Sequence, residues 1–156
     1  MTAVRAAVAL GSNLGSREGH LHFAVSRLGA LLSGLRVSRF HETEPVGVGP
    51  QPRFLNAVAV GETDLDARAV LERLLAIERE RGRERPFTGA PRTLDLDLVL
   101  HGATVLDEAG LAVPHPRFRE RRFVLEPLAE VAPDMVDPVT GKTVGELLEE
   151  LGRGSG

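Results

Sequence analysis

The spacing of hydrophobic and polar positions predicts alternating strands and helices over the first hundred residues. Short apolar or alternating runs predict strands at 4–10, 35–43, 54–61 and 94–100. Apolar residues recurring at helical spacing predict helices over 17–32 and 63–82. Two stretches rich in proline and glycine predict irregular loops at 44–53 and 83–91.

The order of these elements, β-α-β-β-α-β, is that of a ferredoxin-like fold, an α+β architecture in which helices pack on one core sheet. Asp64 or Asp66 can cap the second helix, and Gly82 can end it. In the C-terminal part, the pattern predicts short extra strands and two further helices, over 117–131 and 143–151. No repeat or long linker divides the chain, so residues 1–156 are predicted to form a single domain.

Asp95 and Asp97 lie in a predicted strand that is otherwise apolar. Side chains two positions apart on a strand point to the same face, so both carboxylates share one face while Leu94, Leu96 and Leu98 fill the other. Carboxylates placed side by side repel each other. A polar solvent-facing strand would account for the pair, and so would a divalent cation, because two carboxylates with phosphate oxygens are a typical Mg²⁺ environment.

Composition and charge narrow the class of protein. The chain has 156 residues, 42% of them hydrophobic, a net charge of −3 and no cysteine. No apolar run approaches the roughly 18 residues of a membrane helix, and the N-terminal stretch does not resemble a signal peptide. We therefore expect a cytoplasmic protein that binds neither nucleic acid nor membrane through general charge attraction, and that has no disulfide or thiolate metal site.

Several basic side chains are placed where they can meet an anion. Arginines bracket the second predicted loop, so they can move onto a charged ligand; they are Arg83, Arg85 and Arg92. His115 lies between two prolines, which hold it on an extended segment. A lone histidine is more often structural, but four arginines that would collect phosphate follow this one: Arg117, Arg119, Arg121 and Arg122.

A Gly-Lys-Thr triplet at 141–143 suggests a phosphate-binding P-loop, but the rest of that motif is absent. The P-loop requires a glycine five positions before Gly141, where this chain has Val136, and it follows a strand through a glycine-rich turn. We therefore interpret the stretch from Asp137 to Thr143 as a turn.

Four motifs, in this order along the chain, resemble those of a known family. They are "ALGSNLG", "TEPVG" followed by "QPRFLNAV", "APRTLDLDLVL", and "VPHPRFRERRFVLEPL" with "EVAP". The resemblance is to 6-hydroxymethyl-7,8-dihydropterin pyrophosphokinase of folate biosynthesis, and it extends from Ala9 to about Pro133. It implies an enzyme that transfers the β,γ-diphosphate of ATP to the hydroxymethyl group of the dihydropterin and releases AMP. ATP and the pterin would be its small-molecule partners, with the protein acting as a monomer.

The resemblance also implies roles for particular residues. Asp95 and Asp97 would hold two Mg²⁺ ions, with Asp97 also placed to accept the proton of the substrate hydroxyl. The catalytic residues would be Arg83, Arg92 and Asp97. The ATP-binding residues would be Glu78, Arg83, Arg92, His115 and Arg121. The pterin-binding residues would be Thr43, Val46, Phe54, Asn56, Asp95 and Phe123, with the two phenylalanines enclosing the ring.

The sequence departs from the family pattern at a few positions, and two other classes of protein share the predicted fold. Phe54 stands where a tyrosine is common, and Gly89 where an aromatic residue is frequent, with Phe87 as its substitute. Gly110 and Ala112 lack side chains that some members use on the nucleotide. A ferredoxin-like ligand sensor would not require the aspartate pair, and an RNA-recognition module would expose stacking aromatics, of which this chain has few.

Overall fold

The computed structural model describes residues 3–43, 53–81 and 93–154. The strands are β1 Val4–Ser12, β2 Ser33–Val37, β3 His41–Thr43, β4 Phe54–Thr63, β5 Asp95–His101, β6 Leu106–Glu108 and β7 Leu111–Val113. The helices are α1 Arg17–Leu31, α2 Ala67–Glu80, α3 Arg122–Val131 and α4 Val144–Gly154, and a 3₁₀ turn, Phe118–Glu120, precedes α3. Within these ranges no helix has the length and apolar character needed to cross a membrane.

The main sheet confirms the ferredoxin-like arrangement. Its strands follow the antiparallel order β2-β4-β1-β5, and β3 pairs with β4 beyond the end of β2. The sequence predicts one strand over 35–43, whereas the structure divides it at Ser38. The Ser38 Oγ accepts the Val58 backbone N–H at 3.0 Å, so a side chain replaces one backbone acceptor at the break, while the Ser38 N–H still donates to the Val58 carbonyl at 2.9 Å. The alternating pattern continues across the break and therefore does not reveal it.

Helices cover both faces of this sheet. On one face α1 and α2 bury a core that includes Leu10, Leu21, Leu28, Leu74 and, from β5, Leu96 and Leu98. On the other face α3 and α4 bury a second core that includes Val58, Val99, Phe118, Leu125, Leu128 and Val144. The second layer is formed by residues after Val113, so the C-terminal part supplies one whole side of the molecule.

The ends of the helices show how local sequence sets their limits. The predicted cap of α2 is Asp66, whose Oδ1 accepts the Ala69 N–H at 2.8 Å. The single helix predicted over 117–131 is broken at Arg121, which is extended, with φ −106° and ψ 99°. Residues three positions apart share a face in both helix types, so periodicity does not separate the 3₁₀ turn from the α-helix that follows it.

The Gly-Lys-Thr triplet lies in a turn, as the sequence analysis indicates. Gly141 has φ +75°, a conformation that glycine adopts without steric cost. The Lys142 Nζ lies 2.5 Å from a carboxylate oxygen of Glu150. Thr143 and Glu146 exchange hydrogen bonds of 2.9 and 3.1 Å in a capping box that begins α4. Each residue of the triplet therefore has a structural role.

Candidate active site

Most of the predicted site residues that the structure describes lie at one end of the main sheet, on the face covered by α3. Gly11, near the end of β1, pairs with Asn56 on β4 and with Asp95 on β5. Directly opposed residues of antiparallel strands place their side chains on the same face. Asn56 and Asp95 therefore stand on either side of a residue without a side chain. In the next row, Ala9 separates Val58 from Asp97.

Gly11 leaves space above β1 because it has no side chain. A Cβ atom built there would lie 3.2 Å from the Asn56 Oδ1 and 3.8 Å from a ring carbon of Phe54. Glycine thus lets the amide and the aromatic ring approach the backbone of β1 closely. The first strand is predicted to end at residue 10, and β1 instead continues through Gly11 to Ser12.

The carboxylates of Asp95 and Asp97 fit a divalent cation that keeps open coordination positions. They share the α3 face, opposite to Leu96 and Leu98, as their spacing predicts. In the described part of the chain, no group of three or more histidine, aspartate and glutamate side chains is arranged to hold an ion. Two hard oxygen ligands without a closed cage suit Mg²⁺, which retains waters and accepts phosphate oxygens.

The Asn56 side chain is held in place by Thr43. The Asn56 Nδ2 donates to the Thr43 Oγ1 at 2.5 Å, and Asn56 is only 6% exposed. Thr43 itself pairs with Phe54 in the β3–β4 register. One amide N–H is therefore used for orientation, and the remaining N–H and the carbonyl oxygen form a donor–acceptor pair suited to the edge of a heterocycle.

The segment from His115 to Arg121 runs beside β5 and brings a histidine and an arginine near the aspartates. The His115 N–H donates to the Val99 carbonyl at 2.9 Å, which attaches the segment to the edge strand. The His115 Nδ1 accepts the Arg117 N–H at 3.2 Å. This bond requires an unprotonated Nδ1, so the neutral ring carries its proton on Nε2 and can donate it to an anion.

The surroundings of His115 keep its ring neutral. Burial lowers the pKa of His115 below its ordinary value, the positive charge of Arg121 lowers it further, and Asp95 acts in the opposite direction. Arg117 also lowers this pKa. The charges of Arg121 and Asp95 therefore act on the His115 ring in opposite directions.

Only part of the predicted arginine cluster is arranged to collect phosphate. Arg119 pairs with the buried carboxylate of Asp137, so its predicted role in phosphate binding is wrong. Arg117 lies 3.6 Å from Glu120, and Arg122 lies 3.0 Å from Glu126. Arg121 has no carboxylate partner among the described residues, and its guanidinium lies 5.5 Å from the centre of the Phe123 ring.

Glu78 contacts the aspartate strand from the opposite helix layer. It lies in the last turns of α2 and is 2% exposed. Its Oε2 accepts the Leu96 N–H at 2.7 Å, at the residue between Asp95 and Asp97. The carboxylate therefore fixes the backbone on which both aspartates are carried, a function that the sequence analysis does not anticipate.

The remaining predicted residues divide into two groups. Phe54 lies on the same face of the sheet as Asn56, and Phe123 packs against the core that α3 covers. Both aromatic rings are therefore on the α3 side of the sheet. Val46, Arg83 and Arg92 lie outside the described residues.

Comparison with known proteins identifies the family. A family model described as 7,8-dihydro-6-hydroxymethylpterin-pyrophosphokinase matches residues 7–133. The chain belongs to this family. It is accordingly an enzyme of folate biosynthesis, a pyrophosphokinase that transfers diphosphate from ATP to hydroxymethyldihydropterin and releases AMP. This membership excludes the sensor and RNA-binding alternatives.

Curated relatives agree with this family. The chain is 42% identical to the 2-amino-4-hydroxy-6-hydroxymethyldihydropteridine pyrophosphokinase of Synechocystis sp. over 149 residues, which cover 94% of this chain and 75% of the relative. It is 44% identical to the pyrophosphokinase of the same name from Methylorubrum extorquens over 151 residues, covering 94% and 93% of the two chains.

Solved structures support the fold of this pyrophosphokinase. A crystal structure of HPPK-DHPS in complex with substrates superposes with a TM-score of 0.73 at 12% identity, covering 99% of this chain and 44% of the other. Plasmodium falciparum HPPK-DHPS with pteroate gives a TM-score of 0.74 at 13% identity, covering 96% and 42%. At this level of identity the similarity concerns the fold alone.

Proposed function

We propose that diphosphate transfer takes place at the end of the main sheet, above Gly11. The observation that carries this assignment is the row Asn56–Gly11–Asp95, in which a polar amide and a carboxylate face each other across a residue without a side chain. A flat heterocycle over Gly11 would have its polar edge near Asn56 and its substituent near Asp95. The hydroxymethyl group would then lie beside the carboxylates that bind metal.

The pterin side of this proposal is supported by the way its residues are held. Asn56 reads the edge of the ring with the donor and the acceptor left free by its bond to Thr43. Phe54 and Phe123 supply the two apolar faces, as flat aromatic ligands require. Asp95 contacts the substrate end of the pocket, and Val46 completes it, in line with the family resemblance.

The ATP side combines the His115–Arg121 segment with the arginines of the second predicted loop. His115 donates its Nε2 proton to a phosphate oxygen, and Arg121 neutralises negative charge with its guanidinium. Arg83 and Arg92 are the catalytic arginines, which stabilise the charge that develops on the transferred diphosphate. Glu78 is assigned to the nucleotide side by the family resemblance, and its bond to the Leu96 N–H would support there the backbone that carries Asp95 and Asp97.

Asp95 and Asp97 would hold two Mg²⁺ ions. Two carboxylates suffice for two ions because the phosphate chain of ATP supplies further oxygen ligands. When bound, the ions neutralise the charge of the phosphate chain. A carboxylate oxygen of Asp97 accepts the proton of the substrate hydroxyl as the hydroxyl oxygen attacks the β-phosphorus of ATP. The bond between the β-phosphorus and the oxygen that bridges it to the α-phosphate breaks, and AMP leaves with that oxygen. We further propose that the chain acts as one cytoplasmic domain and as a monomer.

Incubation with ATP labelled at the γ-phosphate tests this function directly. With Mg²⁺ and 6-hydroxymethyl-7,8-dihydropterin, AMP should form, and the label should move to the pterin product. Each substrate alone should give neither result. Release of the label as inorganic phosphate together with ADP would contradict diphosphate transfer and indicate a hydrolase.

A further inference from the structure

The turn between Asp137 and Lys142 lies beyond residue 133, where the family match ends. The Asp137 side chain is completely buried, although it is a carboxylate. It accepts hydrogen bonds from the Thr140 Oγ1 at 2.8 Å and the Val139 N–H at 3.0 Å within the turn. These local bonds hold the carboxylate in one orientation, so it presents a fixed acceptor to the rest of the protein.

Arg119 is the partner of this acceptor. Its Nε donates to the Asp137 Oδ2 at 2.5 Å and its NH2 donates to the Oδ1 at 3.0 Å. This is a bidentate arrangement, with two parallel bonds between a planar guanidinium and a planar carboxylate. Arg119 lies in the 3₁₀ turn, between His115 and Arg121, the two residues assigned above to the phosphates.

Three attachments hold the segment from His115 to Arg121. Its first residue is bonded to Val99 on β5, and its last residue immediately precedes α3. In between, the fully buried ring of Phe118 enters the core under α3, and the Arg119 guanidinium lies 4.9 Å from the centre of that ring. Burial of the Phe118 ring fixes the distance of the segment from the core, but the hydrophobic effect has no directional preference. The paired hydrogen bonds of Arg119 fix the orientation of the segment relative to the core.

We propose that Asp137 is a positioning residue for ATP, which acts through Arg119 to orient His115 and Arg121. This inference rests on the proposed assignment of His115 and Arg121 to the nucleotide side. It gives the turn at 137–142 a role in substrate binding, although no residue of the turn needs to contact a substrate. It also explains why Arg119 does not take part in phosphate binding itself.

The test compares two variants of this pair with a matched control. Asp137→Asn keeps the shape but presents an amide NH₂ to the guanidinium, and Arg119→Lys keeps the charge but replaces the two-pronged donor with a single one. The control is Asp134→Asn, which breaks the bridge of 3.2 Å between Arg5 and Asp134. That bridge joins the C-terminal part to β1, but it is exposed and involves neither Asp137 nor Arg119.

Calorimetry measures each substrate separately, at a temperature well below the melting point of every variant. The probes are α,β-methylene-ATP, which cannot be cleaved at the transferring position, and 6-hydroxymethyl-7,8-dihydropterin. We expect Asp137→Asn to weaken binding of the nucleotide analogue by about tenfold, which is ~1.4 kcal/mol. Arg119→Lys should weaken it by a smaller factor. Binding of the pterin should change less than about twofold in both, and the control should bind both probes normally.

Two results would overturn the inference. One is unchanged binding of the nucleotide analogue in both variants, and the other is an equal loss for the two probes, as expected of general destabilisation. If Asp137→Asn does not fold, Arg119→Lys decides the question alone.

The variants His115→Ala and Arg121→Ala distinguish a failure of this inference from a failure of the proposed function. If they weaken nucleotide binding while Asp137→Asn does not, only the positioning role is wrong. If they leave nucleotide binding unchanged, the ATP-side assignment is wrong and the positioning role fails with it.

Discussion

Asn56 has two amide N–H groups and one carbonyl oxygen, and Thr43 occupies one N–H. We expect Asn56→Ala to weaken pterin binding by about 1–3 kcal/mol, because the polar edge of the ring then loses its partners in a buried site. Binding of α,β-methylene-ATP should change little. Calorimetry with each ligand alone measures both effects.

Thr43→Val serves as the companion variant for Asn56. It keeps the size of the side chain and removes only the oxygen that orients the amide, so its effect on pterin binding should have the same direction and be smaller. Equal losses for the pterin and the nucleotide in Asn56→Ala would reject the assignment of Asn56 to the pterin.

The two aspartates are predicted to be essential for turnover and dispensable for folding. Asp95→Asn and Asp97→Asn should each abolish most activity at saturating Mg²⁺, since an amide is a poor ligand for this ion. Their strand is anchored from the other face by Leu96 and Leu98, so the melting temperature without metal should fall little or even rise as one repelling charge is removed.

The control for the aspartate pair is Asp107→Asn, an exposed carboxylate on β6. It should retain full activity and stability. Near-normal turnover in either active-site variant would show that the pair is not the metal site, and unfolding would show that its role is structural.

The pKa of His115 reports whether the phosphate-binding group is assembled. Burial is the largest cause of its lowered value, and Arg121 is the next. Arg121→Ala should therefore raise the titration midpoint of the His115 ring, and Asp95→Asn should lower it, because removing a negative charge disfavours the imidazolium. Nuclear magnetic resonance of the metal-free protein measures both midpoints.

Arg122→Ala is the control for this titration, since Arg122 is paired with Glu126. A midpoint that stays the same in Arg121→Ala and Asp95→Asn would mean that the three side chains do not lie together.

At the scale of elements, the first helix has a function that its amphipathic pattern does not reveal. Arg17, the first residue of α1, donates from its NH1 to the Glu42 Oε1 at 3.1 Å and to the Arg53 carbonyl at 2.8 Å. Glu42 immediately precedes Thr43, and Arg53 immediately precedes Phe54. One guanidinium therefore connects the ends of β3 and β4 that carry two residues of the proposed pterin pocket.

We expect Arg17→Met to weaken pterin binding several-fold, while the free energy of unfolding changes by about 0–1 kcal/mol, as for other partly exposed ion pairs. Arg27→Met is the matched control on the same helix, where Arg27 pairs with Glu80 at 3.1 Å. Pterin titrations of both variants make the comparison. The proposed link is wrong if the two variants lose affinity equally, or if neither does.

The predicted elements show which features a pattern can reveal. Alternation around Asp95 and Asp97 predicts their common face, because a strand has a fixed period of two. The register that sets Asn56 and Asp95 on either side of Gly11 depends on how β1 lies between β4 and β5. No local pattern contains that information, so the residues are predicted while their arrangement is not.

The breaks in the predicted elements have a similar origin. Ser38 ends β2 through a side-chain bond to β4, and Arg121 separates a 3₁₀ turn from α3 although the apolar spacing continues. The pairing of Arg119 with Asp137 joins residues 18 positions apart. An Asp-Pro pair followed by Thr and Gly does indicate a turn, but nothing in it names a distant arginine as the partner.

At the scale of the whole molecule, two buried or partly buried carboxylates stabilise the C-terminal layer, Glu130 by contacts with residues outside it and Asp137 by a contact within it. Glu130 on α3 accepts the Arg39 N–H at 3.0 Å and pairs with His41 on β3. Asp137 binds Arg119. Burial alone would raise the pKa of both carboxyls, but the hydrogen bonds from Arg39 and His41 to Glu130, and from Arg119, Thr140 and Val139 to Asp137, hold both values below the ordinary range.

This lowering makes stability depend on acid in a defined direction. Above the unfolded-state values of 4.5 for Glu130 and 3.8 for Asp137, both carboxyls are ionised in either state and their contribution is fully present. As the pH falls below those values, the unfolded chain takes up protons first, and the contribution is lost as the pH passes through the lower folded-state pKa. The melting temperature of the protein should therefore fall steeply below about pH 4.5.

Variants at these two carboxylates should remove part of that acid sensitivity. At pH 7, Asp137→Asn should lower the free energy of unfolding by about 3 kcal/mol, because it leaves Arg119 without its buried partner, and Glu130→Gln should lower it by less because its pair is partly exposed. Below pH 4 the difference from the unmodified protein should shrink, since its own carboxylates are then being protonated. Thermal unfolding measured at several pH values, with Asp107→Asn as the control, checks both statements. A constant difference at every pH would show that these carboxylates stabilise the C-terminal layer by packing and not by charge.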